Sequence, residues 1–144
     1  MKHLDFVYPA ELTKQAGCVV VRFPDLPEAL TEGVDALDAV RQAVDCLDEA
    51  IAGRIRRGDD IPPPSTPRRR QRMIPVPAAT AGKAACYLAM REAGLTAHTL
   101  ASRLGWKTSD LRRLLDPRRP LDVARLQQAL SLLGKHLVVE VRAA

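Results

Sequence analysis

Between Leu95 and Leu115 the apolar residues fall into two short helical stretches around one glycine. No other pattern limits the fold of the C-terminal half as much. Leu100, Ala101 and Leu104 repeat at helical spacing before Gly105, and Trp106, Leu111 and Leu114 follow it. Gly105 takes a positive φ without steric cost, so the chain can turn sharply there. Ala101 is small enough for two helices to cross closely, and Leu100 and Leu104 then meet Leu111 and Leu114 across the corner. The pattern predicts a helix-turn-helix whose second helix turns Thr108, Ser109, Arg112 and Arg113 outward, as a major groove would require. Duplex DNA is the expected partner.

Charge divides the chain. Residues 1–60 hold 7 Lys+Arg against 12 Asp+Glu, net −5, whereas residues 61–144 hold 15 against 5, net +10. A cationic half suits phosphate. An acidic half suits a basic protein, because opposite fields speed encounter and fix orientation; the alternative is an ordinary solvated surface divided unevenly by chance.

The 144 residues allow one domain or two small ones, and a core with 3% aromatics must be built from Ala, Val and Leu. No apolar run approaches the ~18–20 residues of a membrane span, and the first residues lack a signal peptide's apolar stretch. Cys18, Cys46 and Cys86 lack metal-ligand spacing and read as reduced thiols of a cytoplasmic protein.

Along the chain, residues 3–8 read as a strand ended by Pro9, and Cys18 to Phe23 as its hairpin partner. A helix follows from an Asp35 N-cap to Gly58, with Leu37, Val40, Val44, Leu47, Ile51 and Ile55 as its inner stripe and Asp45, Asp48 and Glu49 on an acidic face. Four prolines between Ile61 and Pro67 exclude regular structure. The run Arg68, Arg69, Arg70 and Arg72 is either a solvated loop or a phosphate contact. Met73 to Val76 reads as an edge strand. Further helices are expected from about Thr80 to Ala93 and from Asp122 to Gly134, with a last strand over His136 to Val141. The fold class is α+β: a small sheet plus helix over 1–76, then an all-α unit over 77–144 with a terminal strand.

Three pieces resemble the HicB antitoxin family of bacterial HicA–HicB toxin–antitoxin systems. They are Tyr8-Pro9-Ala10 with FPDLPEALTEG (Phe23 to Gly33), Ile61-Pro-Pro-Pro-Ser65 behind a helix ending near Gly58, and Val76-Pro77 leading into an alanine helix with Lys83. The resemblance implies a partial RNase H-like N-terminal fold that binds a small mRNA-cleaving ribonuclease, HicA-like. It also implies a C-terminal DNA-binding domain that represses its own operon, here of the helix-turn-helix branch.

Lys107, Arg112, Arg118 and Arg119 are the expected phosphate contacts. Thr108, Ser109 and Arg112 are the expected base readers, with Arg113 open to either role or to facing a neighbouring helix. In the N-terminal part Tyr8, Phe23 and Leu26 are the candidate toxin anchors, with Asp25, Glu28 and Glu32 as their charged rim. The same segment also reads as a rigid turn packing Phe23 and Leu26 on the helix. No catalytic constellation is visible; Asp5 is the one strand-borne acid, and no cofactor or metal is called for. A homodimer or higher even oligomer is expected, through pairing of the last strand. The alternative function is a stand-alone regulator whose N-terminal domain senses a ligand or dimerises.

Overall fold

Strand β1 (Val7–Gln15) belongs to a four-stranded antiparallel sheet of order β3-β2-β1-β4, with β2 at Cys18–Arg22, β3 at Leu30–Gly33 and β4 at Arg72–Pro75. The computed structural model describes residues 3–144, and this chain divides between Ala81 and Gly82 into two compact units.

The first strand starts later than the sequence suggests and does not stop at Pro9. Residues 3–6 precede it, and Asp5 is therefore not strand-borne. Val7 to Ala10 pair with β4, and Glu11 to Gln15 pair with β2. Pro9 thus sits where β1 has a neighbour on one side, so its missing N–H costs no ladder bond there. Strand β3 is invisible to hydrophobic alternation because only four residues, Leu30 to Gly33, pair with β2.

Helix α1 (Ala36–Arg57) packs on the sheet. Asp35 caps it by accepting from the Asp38 N–H at 2.8 Å, and Gly58 closes it at φ 74°. The inner face is rotated from the expected stripe. Ala39, Ala43, Leu47, Ala50 and Ile51 are buried, Val40, Val44 and Ile55 are half-buried, and Leu37 is 65% exposed. The reason is close approach. A Cβ on Gly33 would lie 2.3 Å from the Ala39 amide nitrogen, so small residues must occupy the face where helix and sheet come nearest.

The second unit is helical. Its core joins Cys86, Ala89 and Met90 of α2 (Ala78–Ala93), Leu100 and Ala101 of α3 (Ala97–Leu104), Leu111 and Leu114 of α4 (Thr108–Leu115), and Leu126, Ala129 and Leu130 of α5 (Val123–Leu132). Leu104, Trp106 and Leu133 are partly buried against it. Val123, expected inside, is half exposed at 49%. The strand expected over His136 to Val141 does not form. Leu137 packs on the core, while Val138, Val139 and Val141 stay exposed. A strand needs a hydrogen-bonding neighbour, and this unit is otherwise helical among the described residues.

Candidate nucleic-acid interface and the acidic N-terminal segment

The corner between α3 and α4 is built by caps. Thr96 accepts from the Thr99 N–H at 3.1 Å to start α3. Gly105 ends α3 at φ 70°, and the Trp106 N–H returns to the Ala101 carbonyl at 2.8 Å. Lys107 is the N-cap of α4, so Thr108 opens the helix instead of capping it. Lysine offers no acceptor. The Asp110 carboxylate fills part of that gap by accepting from the Lys107 N–H at 3.2 Å.

Ser109, Arg112 and Arg113 are exposed on α4, and Lys107 is exposed at its start. Thr108 is half-buried, and its hydroxyl meets His98 Nδ1 at 3.2 Å, which ties α4 to α3. Trp106 plugs the turn: the Arg125 guanidinium lies 5.1 Å from its ring centre, and Arg125 also reaches Asp110 at 3.8 Å.

The turn after α4 carries Arg118 and Arg119, both exposed and both near the Asp116 carboxylate, at 3.2 and 3.8 Å. The Arg118 amide and guanidinium hold the Asp116 carboxyl below its ordinary range. Beneath this turn Lys83 is 1% exposed and donates to the Asp116 carbonyl at 2.5 Å and to the Arg119 carbonyl. Lys83 sets the path of the chain that displays the two arginines. The sequence signal for it was present, since it is the one charged residue between Arg72 and Arg91.

In the N-terminal unit the expected toxin anchors are interior. Tyr8 is 1% exposed, Phe23 2% and Leu26 0%. They are therefore not surface anchors: these rings and the leucine already sit in the core, and no partner can reach them without opening it. The Tyr8 hydroxyl donates to the Pro62 carbonyl at 2.7 Å, and burial, with the Asp25 charge second, pushes its pKa up to about 12. Asp25 accepts from the Ser65 N–H at 2.9 Å and from its hydroxyl at 3.1 Å. Glu28 accepts from both Arg54 Nε at 2.6 Å and Nη2 at 2.9 Å, and Arg54 Nη1 donates to the Asp60 carbonyl. Glu32 is exposed on β3 beside the Cys18 thiol. The segment from Phe23 to Gly33 therefore clasps the proline-rich loop and the end of α1. Ser65 and Arg54 complete it, and their partners lie forty and twenty-six residues away, too far for a local sequence signal.

A family model described as the HicB-like antitoxin of bacterial toxin–antitoxin systems matches residues 7–85. The chain belongs to the HicB-like antitoxin family. Among curated relatives, Antitoxin HicB of Escherichia coli strain K12 is 32% identical over 131 residues, which cover 90% of this chain and 95% of that protein. Antitoxin HicB 1 of Photorhabdus laumondii is 30% identical over 135 residues, 93% of this chain and 86% of that protein. Antitoxin HicB of Pseudomonas fluorescens is 26% identical over 140 residues, 96% of each. In this HicB-like chain the matched stretch takes in the sheet, α1 and the first part of α2. Among the described residues no helix is long and apolar enough to cross a membrane.

Proposed function

We propose that this HicB-like antitoxin neutralises a basic, HicA-like mRNA-cleaving ribonuclease through residues 1–76 and represses its own operon through residues 77–144. The observation that carries the DNA half is the exposed face of α4, where Ser109, Arg112 and Arg113 stand together behind a Gly105 turn. Ser109 and Arg112 read bases; Lys107, Arg113, Arg118 and Arg119 hold phosphates. Thr108, engaged by His98, positions α4. The toxin half rests on family membership and on the net −5 of residues 1–60. Asp25, Glu28 and Glu32 form the charged rim of the contact, and the buried Tyr8, Phe23 and Leu26 keep that rim in shape.

The protein works in the cytoplasm, without a catalytic step of its own. It acts as a homodimer or higher even oligomer whose exposed valine tail, Val138 to Val141, pairs across a two-fold axis and spaces two α4 helices for a palindromic site.

Co-expression with the adjacent open reading frame tests the toxin half. Growth should be restored, and a small basic protein should co-purify; neither outcome appearing would sink it. For the DNA half, Ser109→Ala with Arg112→Ala should weaken binding to the DNA upstream of its gene by about 1–3 kcal/mol per lost base contact, while binding to unrelated duplex changes far less. Equal losses on both duplexes would remove these residues as readers.

A further inference from the structure

Arg68, Arg69 and Arg70 crowd the exposed turn into β4, and Arg72 follows in the strand. The arginines at the end of α1 have carboxylate neighbours: Arg54 has Glu28 at 2.6 Å, Arg57 has Asp59 at 2.8 Å, and Arg56 lies 4.0 Å from Glu49. Among the described residues no ion pair joins Arg68, Arg69, Arg70 or Arg72 to a carboxylate. This cationic turn stands out against the acidic residues 1–60.

The turn is also built. The Gln71 amide oxygen accepts from the Arg68 N–H at 2.7 Å, and the Gln71 N–H donates to the Arg68 carbonyl at 3.2 Å. The Gln71 side-chain amide donates to Glu11 on β1 at 3.2 Å, which pins the turn to the sheet. Arg70 has φ 70°, and among the described residues it is the one non-glycine in the left-handed region. Like charges in consecutive residues repel, and a left-handed arginine is disfavoured, yet the bonds of Gln71 hold both in place. Between this turn and Glu11 to Thr13 of β1 lies a groove of about 280 Å³. Planar guanidinium forks on a fixed turn suit phosphate oxygens. No aromatic side chain lines the groove for an unpaired base to stack on, which favours a duplex backbone over single-stranded RNA.

We propose that the Arg68–Arg70 turn is a second phosphate-binding site, which grips the backbone of duplex DNA. It rests on the DNA reading above but adds affinity without sequence preference.

The test uses the full chain with Arg68→Gln, Arg69→Gln and Arg70→Asn, asparagine being tolerant of the left-handed region. Binding to the upstream duplex and to an unrelated duplex is measured across a salt series. The log–log salt slope should fall by about 0.9 for each phosphate released, so by roughly 2 to 3, on both duplexes alike. The preference for the upstream duplex should stay, as should the melting temperature. A companion variant with lysine at all three positions should keep most of the slope, which separates charge from fold. An unchanged slope in the triple variant overturns the proposal. A larger loss on single-stranded RNA than on duplex overturns the assignment to DNA. Failure of the α4 reading looks different: the wild type would then prefer neither duplex, while the slopes of wild type and triple variant still report on the turn.

Discussion

Asp25 accepts two hydrogen bonds from Ser65, forty residues further on, one from its backbone N–H and one from its hydroxyl. Together with the Tyr8–Pro62 bond, this fastens the proline-rich loop to the segment after β2. Asp25→Ala should destabilise the N-terminal unit by about 1–2 kcal/mol, since charge-assisted bonds are lost and the Ser65 N–H must find water. Ser65→Ala keeps the backbone bond and should cost about half as much. Urea denaturation of both variants measures this; equal, negligible effects would mean the loop holds without the clasp.

The Glu28–Arg54 pair makes stability depend on acid. The Arg54 guanidinium holds the Glu28 carboxyl below its ordinary range, against a smaller opposing effect of burial. The folded chain therefore takes up this proton less readily than the unfolded chain. The pair's contribution is present above the unfolded glutamate pKa and is lost as pH falls through the lower folded value. Because the pair is partly exposed, its size should be only about 0.2–1 kcal/mol. Wild type should exceed Glu28→Gln in stability at pH 7, and the two should converge in acid. A gap that widens on acidification would reverse the assigned sign.

Lys83 is buried beneath the turn that carries Arg118 and Arg119. Lys83→Met fills the same space but leaves the Asp116 and Arg119 carbonyls without this donor. It should cost about 2–3 kcal/mol and weaken DNA binding through the misplaced turn. Lys83→Ala should cost more, because a cavity is added. Full stability in Lys83→Met would show that the carbonyls find other donors.

Trp106 is the one tryptophan of the chain and sits on the helical core under Arg125. Its fluorescence should report unfolding of the C-terminal unit. Trp106→Leu should cost about 1–2 kcal/mol, from lost packing and the lost cation–π contact. Arg125→Met should shift the emission of folded Trp106 without unfolding the unit. Identical emission would argue against the contact in solution.

The thiols should be unreactive at neutral pH. Burial raises the pKa of Cys86 to about 12 and also raises that of Cys46, while Cys18 is raised by desolvation and then by Glu32. Alkylation should be slow at all three in the native protein and should reach Cys86 only on unfolding. Fast labelling of native Cys86 would mean that the helical core opens readily.

Local chemistry along the chain determined much of this protein. Asp35 and Gly58 bound α1, and Gly105 divides α3 from α4, because caps and left-handed turns depend on neighbouring residues alone. The exposed α4 arginines follow from helical spacing in the same way. What depends on distant partners was decided only by tertiary structure. Strand β3 exists because β2 offers it a ladder, and Pro9 is tolerated because β1 changes partner beside it. The alanine face of α1 is inner because Gly33 lets the helix approach, although leucine and valine are the more apolar residues. Tyr8, Phe23 and Leu26 look like surface anchors in a motif, yet packing places them inside. The valine tail shows the reverse case: its sequence has strand character, but a strand forms only where another backbone is there to bond with it.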